Sequence, residues 1–273
     1  MSIDIDDASV KAFQDKIMSW WRTNSRDLPW RNNPSPYNVL VSEVMLQQTQ
    51  VSRVIPKYNE FLNAFPTLES LANAETRHLL KTWSGLGYNR RALWLREAAR
   101  DIINRGSFPE NEKELRELKG IGRYTSRSIL IFAFNKDIAT IDTNIRRVII
   151  ASGFATEEST QSELEKIADL LLPVGRSSDW HNALMDYGSH VLTTSSTGIA
   201  PLSSQTKFAG SSRQIRGIII RLLTENSKVT LSEISHEINQ CVSENYDIFG
   251  ILKQLMQEKL IVKIDSDEYA IAP

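Results

Sequence analysis

The sequence predicts an all-α domain followed by a small α+β module. Helical periodicity runs through the first two-thirds of the 273 residues, where no strand-like alternation is found. A stretch rich in Ser, Thr, Gly and Pro follows at 193–210, and this composition is typical of a linker. Two short apolar runs then flank Asp265-Ser-Asp-Glu268, which is a hairpin signal. We therefore expect domains at 1–192 and 211–273.

Each predicted helix rests on apolar residues three and four positions apart, as at Val10, Phe13 and Ile17. The predicted helices of the first domain are 8–22, 37–65 with an interruption at Pro56, 68–83, 90–104, 111–117, 123–134, 143–153, 160–172 and 178–191. Those of the module are 212–224, 230–240 and 245–259, and its strands are 260–264 and 269–271.

Composition excludes several classes of protein. The net charge is −1, and no apolar run is long enough to span a membrane. The first ten residues are acidic and lack an apolar segment, so we expect no signal peptide and a cytoplasmic protein. The single cysteine, Cys241, rules out a disulfide framework or a multi-cysteine metal site within one chain. The four histidines are scattered without metal-binding spacing.

The most informative stretch begins with Leu118-Lys-Gly-Ile-Gly122, a tight turn between two predicted helices. Glycines at 120 and 122 allow positive φ and bring backbone amides to the surface. The helix that follows presents its N-terminal amides, an arrangement that suits a phosphate. A Gly-x-Gly alone is usually only a turn.

Asp142 precedes a second helical run about twenty residues later. An aspartate in this place is usually an N-cap, and the helix dipole favours its ionised form. The order of glycine turn, apolar helix and aspartate at a helix start is more specific than any of these features alone.

These segments resemble the helix-hairpin-helix DNA glycosylases. The stretch from Ser42 to Val51, SEVMLQQTQV, is very close to the signature of the MutY-type adenine DNA glycosylases. Leu28-Pro-Trp30-Arg31 and Gly85-Leu-Gly-Tyr88 occur in the same order as in that family. The resemblance covers about residues 12–190. It implies a two-lobed all-α fold, double-stranded DNA with a mismatched or damaged pair as partner, and a nucleoid-associated location.

The resemblance implies a mechanism with two carboxyl groups in different environments. Glu43, with its pKa raised, would protonate the adenine, while Asp142 would stay ionised beside the sugar as it becomes oxocarbenium-like. Asn144 would support Asp142. Tyr124 stands where relatives that cut the backbone have a lysine, and a tyrosine cannot form a Schiff base. We expect Tyr124 to hydrogen-bond the catalytic aspartate.

The resemblance also implies which residues bind and distort the DNA. Glu43, Gln47 and Gln50 are spaced to share one helix face. Gln48 would wedge into the base stack and Tyr88 would help to fill the gap left by an extruded base. Phosphate contacts are expected from amides at Gly120 and Gly122 and from nearby arginines, namely Arg90, Arg91, Arg123, Arg127, Arg146 and Arg147. As in relatives, carbonyls near Leu118 and Ile121 could hold a monovalent cation.

The sequence departs from the family pattern after Gly188. The four cysteines of the usual iron–sulfur cluster are absent, so we expect no cofactor and no metal bound by side chains. The C-terminal module is too short and too helical to be the usual domain that senses 8-oxoguanine. Three helices and a hairpin resemble a winged helix. Its seven Lys/Arg against nine Asp/Glu indicate contact with another protein, or packing on the catalytic domain, more than with phosphate.

Three functions compete. The favoured one is a monomeric, monofunctional adenine glycosylase acting opposite 8-oxoguanine or guanine. A thymine or uracil mismatch glycosylase on the same fold is the enzyme alternative, because a fold alone does not fix the base. A non-catalytic winged-helix DNA-binding protein would be expected to lack Glu43 or Asp142, and both are present.

Overall fold

The computed structural model describes residues 5–202, 207–243 and 246–273. Helices dominate this part of the chain, and its only strands are three short ones near the C-terminus. The first helices are α1 (Asp7–Asn24), α2 (Pro29–Asn32), α3 (Pro36–Leu46), α4 (Val51–Ala64), α5 (Leu68–Ala72), α6 (Thr76–Trp83), α7 (Arg90–Arg105) and α8 (Glu112–Glu117). They are followed by α9 (Arg123–Phe134), α10 (Thr143–Ala151), α11 (Gln161–Leu170), α12 (Ser177–His190) and α13 (Thr194–Thr197). The last elements are α14 (Ser212–Glu225), β1 (Val229–Thr230), α15 (Leu231–Cys241), α16 (Ile248–Gln257), β2 (Ile261–Lys263) and β3 (Glu268–Ile271).

The chain forms two compact units. The described residues of the first are 5–40, 109–117 and 121–202, and those of the second are 41–108, 118–120, 207–243 and 246–273. The chain passes from one unit to the other within α3, after Leu40.

The first unit is built around α10 and α12, which pack on each other, with α1 against α12. Its core is aromatic at one end, where the Phe13 ring lies 4.9 Å from Phe154 and 5.6 Å from Trp180. Burial of such rings supplies much of the free energy of folding.

A buried carboxylate ties the segment after α1 to α12. Asp186 is fully buried and accepts from both guanidinium nitrogens of Arg31, at 2.8 and 2.9 Å. Arg26 donates its backbone N–H and its Nε, and Trp21 donates its Nε1. Burial alone would raise the pKa of Asp186, but the hydrogen bonds and charges of Arg31 and Arg26 outweigh it and lower this pKa. Arg31 of the Leu28–Arg31 motif and Asp186 of α12 therefore meet in this ion cluster.

The second unit packs α4 to α7 with α14. Phe61 of α4 and Trp83 of α6 meet edge to face at 5.8 Å. Arg77 of α6 caps the C-terminal end of α14, because its guanidinium donates to the carbonyls of Leu223 and Asn226, each at 2.6 Å. This contact anchors the C-terminal module on α6.

The last residues form a three-stranded antiparallel sheet with the order β1-β3-β2. Val229 pairs with Tyr269, and Ile261 pairs with Ile271. The predicted hairpin corresponds to β2 and β3, whereas β1 was not predicted, since two residues are too few to show alternation. The resemblance of this module to a winged helix stays a prediction.

The predicted helix at 37–65 differs from the structure. Two helices occupy it, separated at 47–50, and Pro56 lies inside α4 instead of ending it. Val54, Tyr58 and Phe61 are buried along one face of α4, and this packing offsets the hydrogen bond that proline cannot donate. The predicted helix at 68–83 is likewise divided, because α5 ends at Ala72 and α6 begins at Thr76.

No helix among the described residues is long and apolar enough to cross a membrane.

Candidate functional site

Asp142 is the N-cap of α10, as its position before a helical run predicts. Its Oδ1 accepts the backbone N–H of Ile145 at 2.7 Å, and its Oδ2 accepts the side-chain amide of Asn144 at 2.9 Å. Both carboxyl oxygens are therefore held in fixed positions at the start of the helix.

The electrostatics of Asp142 are less simple than a capping position suggests. Burial raises the pKa of its carboxyl group. The hydrogen bonds from Ile145 and Asn144 and the charge of Arg147 lower this pKa, but they offset burial only in part. The helix dipole alone would lower the pKa of Asp142, whereas in the structure this pKa is raised.

Arg147 joins this cap to the segment that follows α12. It is buried, and its Nη2 donates to Asn144 Oδ1 at 2.7 Å and to the carbonyl of Gly188 at 2.8 Å. Its Nε donates to the carbonyl of Leu192. Gly188 is needed here, because a Cβ at this position would lie 2.8 Å from the Asn144 carbonyl oxygen.

The segment leading into Asp142 is fixed from the other side. Thr140 donates its backbone N–H to Nε2 of His181 at 3.1 Å, and Nδ1 of His181 lies 2.7 Å from the Ser177 carbonyl. The imidazole is therefore a neutral tautomer with its proton on Nδ1. Burial lowers the pKa of His181 to about 4. This role of His181 could not be predicted from sequence, since it depends on contacts between residues about 40 positions apart.

Glu43 lies in the last turns of α3 and is buried, with 9% of its surface exposed. Because α3 ends at Leu46, Gln47 and Gln50 do not continue its face, and the predicted shared face of Glu43, Gln47 and Gln50 is wrong. Gln47 instead donates its side-chain amide to the Gly120 carbonyl at 3.2 Å.

Arg91 supports the turn that follows Glu43. It is buried, and its guanidinium donates to carbonyls at the end of α3 and in the loop before α7. The acceptors are the carbonyls of Val44, Met45, Gln47, Leu86 and Gly87 and the Thr49 hydroxyl, at 2.6 to 3.2 Å. Arg91 therefore fixes the positions of two predicted DNA-contacting turns.

Gln48 and Tyr88 stand at the tips of these turns. Both are exposed and both have left-handed backbones, with φ of 55° and 47°. They line one pocket of the second unit, together with Arg213 of α14. The structure thus brings together the two residues predicted to enter the base stack.

The glycine turn between α8 and α9 is only partly as predicted. Gly120 has φ of +76°, and a Cβ there would lie 2.9 Å from the Trp94 ring, so a side chain is excluded. Gly122 is extended, with φ of −89°, and it is the N-cap of α9. Positive φ is therefore required at one of the two glycines. Tyr124 follows in the first turn of α9 and is exposed.

The remaining arginines fall into two groups. Arg90 is exposed and stacks on Trp94 at 4.7 Å, and the half-exposed Arg123 pairs with Glu165 at 2.6 Å. Arg146 is buried, and its Nη2 donates to the Glu157 carbonyl at 3.2 Å. Arg127 pairs with Glu112 at 3.0 Å and is largely covered.

Comparison with known proteins assigns the chain to a family. Residues 41–173 match the model of the HhH-GPD superfamily of base excision DNA repair proteins. The adenine DNA glycosylase of Mycolicibacterium smegmatis is 35% identical over 235 residues, which cover 78% of this chain and 80% of that protein. This chain belongs to the adenine DNA glycosylase family.

The human adenine DNA glycosylase is 36% identical over 73% of this chain, but the match spans only 39% of the human protein. Among solved structures, a thermostable thymine-DNA glycosylase is 30% identical with a TM-score of 0.63, over 70% of this chain and 90% of that one. A non-covalent endonuclease III–DNA complex gives a TM-score of 0.60 at 19% identity and shows the shared fold alone.

The iron–sulfur cluster usual in adenine DNA glycosylases does not fit this chain. Such a cluster takes four thiolates, and the only cysteine, Cys241, is exposed at the end of α15. After α12, the hydrogen bonds of Arg147 and the short helix α13 hold the chain. Within the described ranges, no group of three or more His, Cys, Asp or Glu side chains could hold a metal ion.

Proposed function

We propose that this adenine DNA glycosylase hydrolyses the N-glycosidic bond of adenine mispaired with 8-oxoguanine or guanine and leaves the abasic site intact. The observation that carries the proposal is the similarity to curated adenine DNA glycosylases, at 35% identity across 78% of the chain for the mycobacterial protein. Double-stranded DNA with such a pair is the proposed partner, and the protein acts as a monomer at the nucleoid, without a cofactor.

The proposed reaction breaks the bond between adenine and C1′ of the deoxyribose. Glu43 donates a proton to N7 of adenine, so that the bonding electrons leave with a neutral base. The sugar becomes cationic and faces the carboxylate of Asp142. Water then attacks C1′ and loses its proton, which gives free adenine and an abasic sugar.

The surroundings of Asp142 support its part in this reaction. Ile145 and Asn144 hold both of its oxygens, so the carboxylate need not reorganise when positive charge develops on the sugar. Arg147 orients Asn144 in turn. Capping and catalysis are compatible, because one lone pair on each oxygen serves the helix and others remain for the substrate.

The proposed DNA contacts use the exposed groups. Gln48 and Tyr88 enter the base stack, and the amides near Gly120 and Gly122 bind a phosphate together with Arg90 and Arg123. Arg91 and Arg146, which were predicted as phosphate ligands, are assigned an indirect role here, because their guanidinium groups contact backbone carbonyls. Carbonyls of Leu118 and Ile121 remain candidates for a monovalent cation.

Tyr124 accounts for the proposed lack of strand cleavage, because a phenol offers no amine for a Schiff base. Residues 211–273 are proposed as a winged-helix-like module beyond the 193–210 linker, part of which lies outside the described residues. The domain boundary at 192 is likewise proposed.

Thymine or uracil release is the second candidate, favoured by the 30% identity to the thymine-DNA glycosylase structure. These bases leave as anions and lack N7, so hydrogen-bond donors to their oxygens would serve better than an acid at Glu43. This chemistry is the reason for preferring adenine.

Single-turnover cleavage tests the proposal. Duplexes carry adenine or thymine opposite guanine or 8-oxoguanine, and abasic sites are revealed by alkali. Wild type should release adenine, while Glu43→Gln and Asp142→Asn should be nearly inactive yet bind DNA with wild-type affinity. Faster release of thymine, or near-normal adenine release by Glu43→Gln, would overturn the mechanism.

A further inference from the structure

A pocket of about 270 Å³ opens beside Gln48 and Tyr88 in the second unit. Its wall includes Phe208, within the predicted linker, and Arg213, in the first turn of α14. Arg53 of α4 lies on the same wall. Residues on both sides of the proposed domain boundary therefore form one concave surface, with a volume near the lower end for small-molecule sites, roughly 300 Å³.

The backbone of this pocket is strained. Four non-glycine residues in the described part of the chain have positive φ, and Gln48 and Tyr88 are two of them. Such strain costs free energy and tends to persist at ligand-binding positions. Two of the residues that line this pocket therefore carry such strain.

The pocket is lined by two arginine–aromatic pairs. Arg213 Nη1 donates to the Tyr88 hydroxyl at 3.1 Å, and the Arg213 guanidinium carbon lies 5.7 Å from the centre of the Tyr88 ring. Arg53 lies 5.9 Å from the centre of the Phe208 ring. Half of the Phe208 surface and 37% of the Tyr88 surface are exposed. Two aromatic faces and two guanidinium planes suit a flat ligand that can stack and accept hydrogen bonds.

We propose that this pocket receives the base opposite the excised adenine, and that Arg213 and Phe208 make it selective for a purine with a 6-oxo group. This inference rests on the proposed function, since extrusion of adenine leaves its partner unpaired. Phe208 and Tyr88 stack on the base, while Arg213 donates to its O6.

The charge and polarity of the pocket favour guanine-type bases. Arginine has only donors, and guanine presents acceptors at O6 and N7, the commonest partners of arginine in base recognition. A 6-aminopurine presents an amino group at the position of O6, so two donors would face each other. 8-Oxoguanine keeps O6 and would be accepted.

The docking of α14 holds Arg213 in place. Arg77 caps the far end of this helix through the Leu223 and Asn226 carbonyls, so the first turn of α14 is positioned by its last. The C-terminal module therefore contributes specificity through one helix end, even though it holds seven basic and nine acidic residues. The excess of acidic over basic residues in this module is consistent with a contact to a base and not to several phosphates.

The test compares adenine release opposite guanine with release opposite 2-aminopurine, which lacks O6. Wild type should prefer guanine, and Arg213→Ala should lose on the order of 10- to 100-fold of that preference, the usual discrimination of a good base contact. Arg221→Ala is the matched control, because Arg221 lies on the same helix but pairs with Glu237. It should keep the preference.

A second measurement is independent of catalysis. Duplexes with tetrahydrofuran, an abasic analogue, opposite guanine or 2-aminopurine should show the same difference in affinity, with an unchanged salt dependence in Arg213→Ala. Arg213→Gln and Phe208→Ala repeat the test should Arg213→Ala not fold. Folded variants that keep the wild-type preference in both assays overturn the inference. If wild type releases no adenine, the proposed function fails, and the tetrahydrofuran duplexes still decide the role of the pocket.

Discussion

Asn144 donates its side-chain amide to Asp142 Oδ2 across 2.9 Å. The contact stabilises the carboxylate form of Asp142 and opposes the effect of burial, which raises the pKa of this group. The ionisation of the proposed catalytic carboxylate therefore depends on a neutral neighbour two residues away.

Asn144→Ala is expected to raise the pKa of Asp142 further. The required anion is then lost at a higher pH, so the acidic limb of the rate profile should move toward neutrality. Single-turnover rates from pH 5 to 9 check this, with Thr143→Ala, an exposed neighbour in the same helix turn, as control. An acidic limb that does not move in Asn144→Ala would contradict the role given to this contact.

Arg90 and Arg91 are adjacent in sequence but are expected to behave differently. Arg91→Met leaves six acceptors without their donor, and we expect a loss of at least about 3 kcal/mol in the free energy of unfolding. Arg90→Met should keep its stability within about 1 kcal/mol, as is usual at exposed positions.

Measurements of DNA affinity distinguish the Arg90 variant from the Arg91 variant in a second way. If Arg90 is a phosphate ligand, its loss should lower the slope of log affinity against log salt by about 0.9. Urea unfolding and binding at several salt concentrations provide both measurements. Equal stabilities of the two variants would show that the burial of Arg91 has been misinterpreted.

His181 should make the protein sensitive to acid. Its pKa is about 4 when folded and near its ordinary 6.5 when unfolded. In this interval the unfolded chain binds more protons, so stability falls as the pH falls. The loss from this group between pH 7 and pH 5 is about 2 kcal/mol.

His181→Gln does not titrate, and its amide oxygen can still accept the Thr140 N–H. Its stability should therefore depend less on pH than that of wild type, by about 2 kcal/mol over the same interval. Urea unfolding at both pH values measures the difference. Identical pH dependences would mean that the imidazole does not titrate on unfolding.

The purified protein is expected to be colourless and free of iron. One cysteine cannot supply the four ligands of a cluster, so absorbance near roughly 400 nm should be missing. Iron chelators should leave the melting temperature unchanged, whereas Arg147→Met should lower it, because the Gly188 and Leu192 carbonyls lose their donor. A brown preparation with stoichiometric iron would contradict this prediction.

Local patterns were sufficient to predict most of the helices and the family. The helix α9 has the predicted bounds, because its apolar spacing and the preceding Gly122 both mark them. Asp142 was predicted as a cap for the same kind of reason. The break at 47–50 was missed, since the left-handed turn at Gln48 carries no glycine or proline to reveal it.

Residues whose partners lie far along the chain could not be predicted. Arg91 and Arg146 look like surface charges in sequence, yet both are buried against carbonyls. Periodicity shows which residues face a core, but it does not show which distant backbone carbonyls will accept a hydrogen bond from a buried arginine. For the same reason, the role of His181 and the contribution of Arg213 to the pocket at Tyr88 could not be predicted from the sequence.

The Asp186 cluster has a consequence for the nascent chain. Its donors are Trp21, Arg26 and Arg31, so they leave the ribosome about 155 to 165 residues before their acceptor. At 5–20 residues per second this delay is on the order of ten to thirty seconds. Throughout it, Phe13 and Ile17 of α1 have no α12 to cover them, so this apolar face stays open to a chaperone until α12 has been synthesised.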